Sequence, residues 1–144
     1  MEKNKPNINW LIHYVGNGVR CDVCGKEENS FPHFMCNIHT HGMEQYGHLD
    51  FQIVIDLGMS LAGTLLNDMG LRVQSGQKFK VGDVISDLIV GYDVKLVGAM
   101  ETNRNVLRLI FPDKNGSFPE NDTCEYPYNR QYGFETNSTI NKEE

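Results

Sequence analysis

The sequence contains no long hydrophobic run. Even its most apolar stretches, such as residues Leu107 to Phe111, are far shorter than the roughly 20 apolar residues that a membrane-spanning helix requires. The N-terminus has a basic start but only a brief apolar patch and no small-residue cleavage site, which is not the pattern of a signal peptide. These absences predict a cytoplasmic protein that has no membrane partner and keeps its cysteine thiols reduced.

Lysine and arginine are not clustered in the chain, and its formal net charge is −6. A surface of that sign repels a polyphosphate backbone, so we expect no nucleic-acid partner. The sequence also lacks a glycine-rich phosphate loop after a strand, a Gly-x-Ser-x-Gly elbow and a His-Glu-x-x-His helix. Nucleotide hydrolysis, serine esterase chemistry and metalloprotease chemistry therefore lose their usual sequence support.

The size and composition predict one folded domain. The chain has 144 residues, of which 40% are hydrophobic, so it is too apolar for a disordered protein and large enough for one hydrophobic core. We expect a single α+β domain over residues 1–136, with a metal-binding loop at residues 19–36. Residues 137–144 are mostly polar and are predicted to form a disordered tail.

The pattern of apolar residues predicts four main strands. The first two cover residues 35–41 and 51–57, and the last two cover residues 94–100 and 106–111. A short polar stretch joins the last two strands, which predicts that they pair with each other. A turn should follow them, because Pro112 to Gly116 combines proline, aspartate and Asn-Gly.

One amphipathic helix of about four turns is predicted between the second and third of these strands. Ser60 is placed to cap its first turn, Gly76 to end it, and Gly70 to weaken, stop or bend its middle. Its apolar positions recur at helical spacing: Ala62, Leu65, Leu66, Met69 and Val73. The predicted fold is therefore α+β, a small mixed or antiparallel sheet packed against one main amphipathic helix. Residues 79–91 predict a turn and a short strand or helical turn.

The first two cysteines form a Cys-x-x-Cys-Gly knuckle at Cys21 and Cys24, a pattern that lets two thiolates bind one ion. A closed structural zinc site needs four ligands, and Cys36 and Cys124 supply the remaining two. Such a site would staple the irregular N-terminal and C-terminal segments to the first core strand. Zinc is accordingly the predicted cofactor.

Other interpretations of these cysteines stay open. His33 or His39 could replace Cys36 or Cys124 as a zinc ligand. A thioredoxin-like redox pair would need a helix directly after the Cys-x-x-Cys motif, and a charged loop follows instead. A disulfide is disfavoured in a reducing compartment, whereas unrelated thiols with no common ligand are compatible with the spacing.

Three histidines lie within ten positions of one another around the first core strand. His39 and His41 are two residues apart on that strand, so their imidazoles share one face and could bind one cation. His48 could supply a third nitrogen, with Glu44 or Asp50 as general base, which is the donor set of a hydrolytic metal centre. The alternative is that these histidines are ordinary solvated residues on the open face of a strand.

Several short patterns occur in order between Cys36 and Gln131. They are Thr40-His41-Gly42-Met43, Gly47-His48-Leu49-Asp50, Leu65-Leu66-Asn67, Val73 to Gly76, Phe79 to Gly82, and a closing set of Phe111-Pro112-Asp113, Gly116, Phe118-Pro119 and Gln131. This order resembles the bacterial domain of unknown function 4262 family. That family typically has a Tyr-Thr-x-Gly-Leu strand, a Gly-His-Pro-Glu turn, a Leu-Asn helix and a Trp-Pro-Asp-x-x-Gly-x-Phe-Pro segment.

The sequence departs from this family pattern at several positions. His39 stands where tyrosine is usual, Leu49-Asp50 replaces Pro-Glu, and Phe111 replaces tryptophan, while the added cysteines suggest a thiol-bearing branch. The resemblance implies a compact α+β domain and brings no established activity or catalytic residue. The positions that it suggests for a shared ligand pocket are Thr40, Gly42, His48, Asn67 and Asp113.

Together these features predict a cytoplasmic, zinc-stabilised domain that binds a small molecule or a protein. Its binding site is expected in a polar cleft near His39, His41 and His48. The alternative function is a metal-dependent hydrolase that uses the same three histidines as metal ligands. A third hypothesis is an interaction protein whose contact surface is the tyrosine-bearing C-terminal segment.

Overall fold

A computed structural model describes most of the chain. It covers residues 7–15, 31–101 and 103–132, together with the backbone of residues 19–20 and 27–28. The structure has no helix within these ranges that is both long and apolar enough to cross a membrane.

The described residues form eight β-strands, one α-helix and two short 3-10 helices. The strands are β1 (Leu11–Val15), β2 (Val19–Arg20), β3 (Glu27–Glu28), β4 (Met35–His41), β5 (Asp50–Ile55), β6 (Val84–Ile89), β7 (Tyr92–Glu101) and β8 (Arg104–Ile110). The α-helix is α1 (Met59–Gln74), and the 3-10 helices cover Met43–Tyr46 and Tyr128–Arg130.

Six of these strands form one mixed sheet in the order β1-β4-β5-β8-β7-β6. Neighbouring strands are antiparallel except β5 and β8, which are parallel. A parallel pair needs a long crossover connection, and here the crossover contains α1 and the β6–β7 hairpin. Helix α1 and one face of the sheet bury the main hydrophobic core between them. The predicted α+β class, with a mixed sheet and one main helix, is confirmed.

The predicted elements match the observed ones closely in the core. Strand β4 has the predicted bounds, whereas β5 begins one residue before the predicted strand and ends at Ile55. Strands β7 and β8 form the predicted hairpin, and β6 is the short strand expected within residues 79–91. The pairing of β2 with β3 was not predicted, because a two-residue strand is too short to show alternation.

Helix α1 continues without interruption through Gly70, where a stop or bend was predicted. The reason is the indole ring of Trp10, which packs so closely on the helix that a Cβ atom at residue 70 would lie 2.5 Å from Trp10 Cζ2. The predicted cap at Ser60 is also displaced, since the helix begins at Met59 and is preceded by Gly58, without a side-chain capping bond. Close packing against a large side chain therefore outweighs the low helix propensity of glycine.

The irregular C-terminal segment is held to the sheet by hydrogen bonds. The amide side chain of the buried Gln131 accepts a bond from the Phe111 amide at 2.9 Å and donates one to the Phe111 carbonyl at 2.7 Å. Arg108 Nη1 donates to the Gln131 carbonyl at 2.7 Å. Tyr126 and Tyr132 of this segment donate hydrogen bonds through their hydroxyls to the His33 carbonyl and the Glu120 carboxylate. The predicted tail over residues 137–144 lies outside the described residues.

We predict that Gly70→Ala destabilises the protein by about 1–3 kcal/mol, because the new methyl group would overpack the contact with Trp10. The free energy of unfolding, measured by urea denaturation, tests this expectation.

Gly63→Ala is the matched control on the same helix. A Cβ atom at residue 63 would meet no atom within 4 Å, so this change should stabilise the protein by about 0.5–1 kcal/mol through helix propensity. Equal effects of the two substitutions would contradict the proposed role of the Trp10 contact.

Candidate functional site

A row of polar side chains crosses four strands of the sheet, and we call it the polar row. His13 of β1 lies opposite His39 of β4. His39 in turn lies opposite Gln52 of β5, which lies opposite Arg108 of β8. Directly opposed residues in a sheet project to the same face. Because Leu107, the neighbour of Arg108, belongs to the core beneath α1, the polar row lies on the other face.

The centre of the polar row is buried and internally hydrogen-bonded. His39 and Gln52 have no exposed surface, and Arg108 is 3% exposed. Asn37 Oδ1 accepts a hydrogen bond from Gln52 Nε2 at 3.0 Å and lies 3.1 Å from His39 Nδ1. Arg108 Nε donates to Gln52 Oε1 at 2.8 Å. These bonds fix the side-chain orientations, since buried polar atoms are costly unless they find partners.

A buried carboxylate, Glu101, flanks the polar row. Its Oε2 accepts from Asn37 Nδ2 at 3.4 Å and lies 3.7 Å from His39 Nδ1. Its Oε1 accepts from Arg104 Nε at 2.8 Å, and Arg104 Nη1 donates to Asp50 Oδ2 at 2.7 Å. The guanidinium of Arg104 therefore bridges two buried carboxylates and compensates their charge.

Three imidazoles lie together at one end of the row. The ring centroids of His39 and His41 are 4.7 Å apart, and the His13 ring lies 4.9 Å from that of His41. Burial lowers the pKa of His39 to about 3, and burial together with the nearby Arg104 guanidinium lowers the pKa of His41 to about 4. Both side chains are therefore neutral at pH 7. In the described part of the chain, no three His, Cys, Asp or Glu side chains are arranged to hold a metal ion.

His48 is not brought together with the two histidines predicted to join it. Its Nε2 accepts a hydrogen bond from the Phe79 amide at 2.9 Å, and its Nδ1 donates to the carbonyl of the next residue at 2.8 Å. The ring packs against Phe51, which belongs to the core beneath α1, with centroids 5.4 Å apart. The structure therefore does not assemble the predicted centre of His39, His41 and His48, because both nitrogens of His48 are engaged on the α1 side.

Asp50, one of the two predicted general bases, is buried and engaged. Its Oδ1 accepts hydrogen bonds from the Thr40 hydroxyl at 2.7 Å and the Met43 amide at 3.0 Å, while Oδ2 is paired with Arg104. Both of its carboxylate oxygens are therefore engaged within the protein. Glu44, the other predicted base, is exposed on the 3-10 helix that follows β4.

Gly42 and Asn67, two of the predicted ligand-binding positions, surround Trp10 instead. Asn67 Oδ1 accepts a hydrogen bond from Trp10 Nε1 at 2.8 Å. Gly42 has a φ of +133° and lies so close that a Cβ atom there would be 2.8 Å from Trp10 Cβ. Thr40, a third predicted position, bonds to Asp50 through its hydroxyl. Gly42 and Asn67 therefore hold Trp10, the residue before β1, on the body of the domain.

Two of the four predicted zinc ligands, Cys21 and Cys24, lie outside the described residues. Cys36 and Cys124 are free, buried thiols. Cys36 belongs to the core beneath α1, where burial and the Asp56 carboxylate raise its thiol pKa. Cys124 Sγ donates to the Ser117 carbonyl at 3.2 Å. The alternative ligands His33 and His39 do not combine with these two thiols into a metal-binding group within the described residues.

An apolar cavity of about 280 Å³ lies where the parallel strands β5 and β8 end. We call it the strand-end cavity. Its walls come from α1, the β6–β7 hairpin, the residues that follow β5 and β8, and the second 3-10 helix. The lining residues are Leu57, Leu61, Leu65, Ile89, Tyr92, Phe111, Pro112, Asp113, Lys114 and Tyr128.

Of the five ligand-binding positions predicted from the sequence, Asp113 alone lines the strand-end cavity. It is 1% exposed, and its carboxylate is turned toward the backbone. Oδ1 accepts from the Asn115 and Ser117 amides at 2.9 Å, and Oδ2 accepts from the Glu125 amide at 3.0 Å. The Ser117 amide is the main cause of a lowered pKa at Asp113, with smaller contributions from the other two amides. The residue therefore fixes the shape of the cavity wall.

Sequence reasoning missed most of the polar row and the cavity. The pattern of β4 places Asn37, His39 and His41 on one face, but nothing local indicates that His13, Gln52 or Arg108 pairs with them. The available signal was the polar residues at alternate positions of otherwise apolar strands, such as Gln52 in β5. The cavity has no sequence pattern, because its walls come from segments far apart in the chain.

Fold and geometry together define an α+β domain with a buried polar row on one face of its sheet and an apolar cavity at one end. Comparisons with known proteins found no matching family model, no similar curated protein and no similar solved structure.

We predict that the free energy of unfolding decreases as the pH falls from about 6.5 toward 4. His39 and His41 bind protons less readily in the folded protein than at their ordinary pKa of 6.5. The unfolded chain therefore binds more protons in this interval, and acid favours it. The slope is up to about 1.4 kcal/mol per pH unit for the buried His39 and smaller for the half-buried His41, whose charge solvent screens. Urea denaturation at a series of pH values measures the slope.

The decrease in the free energy of unfolding per pH unit should be smaller in the His41→Gln variant than in the native protein. It should be smaller again in the double variant that also carries His39→Gln. Comparison at pH 8 is the internal control, because the histidines are neutral there and any difference reports packing alone. Identical slopes between pH 6.5 and 4.5 for all three proteins would contradict the interpretation.

Proposed function

We propose that this chain is a small-ligand-binding domain and that its ligand occupies the strand-end cavity. The observation that carries this proposal is an apolar cavity with a few polar groups on its lining, a combination typical of ligand sites in proteins. The proposal keeps the binding function expected from the sequence and moves the site away from the histidines.

Part of the wall of the strand-end cavity belongs to regular elements or to a hydrogen-bonded turn, which supports a role in binding. Leu61 and Leu65 are on helix α1, and Phe111 directly follows the central strand β8. The Asp113 carboxylate holds three backbone amides of the adjoining turn. A site built on fixed elements loses little conformational entropy when a ligand enters.

The polar row is less suited to binding, because its central residues are buried and bonded to one another. A ligand would have to break the bonds of His39, Asn37 and Gln52, which cost free energy to leave unmade. The metal-dependent hydrolase is not retained, since His48 and Asp50 are engaged elsewhere.

A zinc ion bound by Cys21 and Cys24 remains part of the proposal, with Cys36 and Cys124 as the further ligands. The raised thiol pKa of Cys36 means that a thiolate at this position would need a nearby cation. The resemblance to the domain of unknown function 4262 family and a cytoplasmic location, where thiols stay reduced, belong to the same proposal.

We predict that the protein binds a neutral apolar probe, N-phenyl-1-naphthylamine, and that Leu61→Trp weakens this binding about tenfold or more. Leu61 lines the strand-end cavity and is 50% exposed, so a larger ring can fill the cavity without entering the core. Probe fluorescence in a titration measures the affinity, and the melting temperature confirms that the variant is folded.

Leu49→Trp is the matched control. Leu49 is 42% exposed and lines a second cavity, of about 410 Å³, together with Val81 and Met100. Its replacement should leave probe affinity unchanged. If Leu49→Trp weakened binding and Leu61→Trp did not, the strand-end cavity would not be the binding site.

We also predict that the native protein contains about one zinc ion per chain and that the double change Cys21→Ser and Cys24→Ser removes it and lowers the melting temperature. Metal analysis of the purified protein measures the stoichiometry. Full zinc content in Cys36→Ser or in Cys124→Ser would exclude that thiol as a ligand. Absence of zinc from the native protein would refute the stapled fold.

A further inference from the structure

We infer that the ligand of the strand-end cavity is a small apolar carboxylate whose anionic end is bound by Lys114. This inference rests on the proposed function, because it names the chemical class of the ligand for the same site. It follows from the charges on the cavity lining, from the size of the cavity and from a comparison with the second cavity.

The cavity lining contains two charged residues, Asp113 and Lys114, and the carboxylate of Asp113 already accepts hydrogen bonds from the protein backbone. Asp113 is 1% exposed and its two carboxylate oxygens accept three backbone hydrogen bonds, so its negative charge is directed away from a ligand. An apolar ligand with a cationic end would therefore find no accessible carboxylate on this lining.

Lys114 supplies the accessible charge. Its side chain is exposed. Its charge makes a small contribution to the lowered pKa of the adjacent Asp113 carboxyl, whose oxygens are bound by backbone amides. Its main chain is held at the cavity wall, because the Tyr92 hydroxyl donates to the Lys114 carbonyl at 2.9 Å. A lysine whose main chain is fixed beside apolar walls can bring its ammonium group to the mouth of the cavity, which favours a ligand with an anionic end and a hydrocarbon body.

The size of the cavity restricts the hydrocarbon body. A volume of about 280 Å³ is near the lower limit of the roughly 300–1,000 Å³ that ligand pockets enclose. The site therefore suits a medium-length carboxylate or a single aromatic ring bearing a carboxylate, and it is too small to enclose a long-chain lipid.

The second cavity is a comparison site with a different, mainly apolar lining. Its lining, which includes Leu49, Val81, Met100 and Asn105, contains no charged residue within the described chain. Binding there would be indifferent to the charge of the ligand. A preference for a carboxylate therefore distinguishes the strand-end cavity from this one.

Three probes with the same eight-carbon chain test the inference: octanoate, 1-octanol and octylammonium. Isothermal titration calorimetry at low salt should show octanoate as the tightest ligand of the native protein. Lys114→Met should weaken octanoate binding about fivefold, the effect of losing one partly solvated ion pair, and leave 1-octanol binding unchanged. Lys114→Glu should reverse the preference in favour of octylammonium.

Lys78→Met is the matched control, since Lys78 is also exposed but lines a different, polar pocket on the surface. It removes the same charge and should not change the preference for octanoate.

The outcomes separate the inference from the proposed function. If 1-octanol bound as tightly as octanoate, or if Lys114→Met and Lys78→Met behaved alike, the role of Lys114 would be overturned while the apolar site stood. If none of the three probes bound, or if Leu61→Trp did not affect their binding, the proposed function itself would fail and the inference with it.

Discussion

Burial of polar side chains on the face of the sheet opposite to α1 is the constraint on which the structure depends. Such groups are tolerated inside a protein when they are hydrogen-bonded to one another. Asn37 and Gln52 bond across β4 and β5, and Arg108 extends the chain of bonds to β8. A shift of one residue in any of these strands would move its polar side chain into the apolar core beneath α1. The polar row therefore fixes strand register.

The same network connects the sheet to the strand-end cavity. Arg108 bonds to the carbonyl of Gln131, and Gln131 bonds to both backbone groups of Phe111, which lines the cavity. Asp113 then organises the turn that follows. Hydrogen bonds thereby order the C-terminal segment up to residue 132, a role that sequence analysis had assigned to zinc. A polar network on one face can thus shape an apolar site at the end of the sheet.

The candidate site was only partly predictable from the sequence. The placement of His39 and His41 on one face follows from strand periodicity, and β4 has the predicted bounds. The structure places His48 away from these two histidines. It follows a turn, where the direction of a side chain depends on its tertiary contacts, and here its ring packs against Phe51. The place of His13 beside His39 depends on the pairing of β1 with β4, which no local pattern specifies.

By itself the sequence determined the local elements, because a helix with apolar residues at 3.6 spacing and strands with alternating residues each need one apolar face buried. It also determined the turn at residues 112–116 through proline, aspartate and glycine. The tertiary structure alone decided the strand order, the unbroken helix at Gly70 and the walls of the cavity. These features arise from contacts between residues far apart in the chain, such as Trp10 with Gly70, and their energies depend on three-dimensional proximity rather than on sequence spacing.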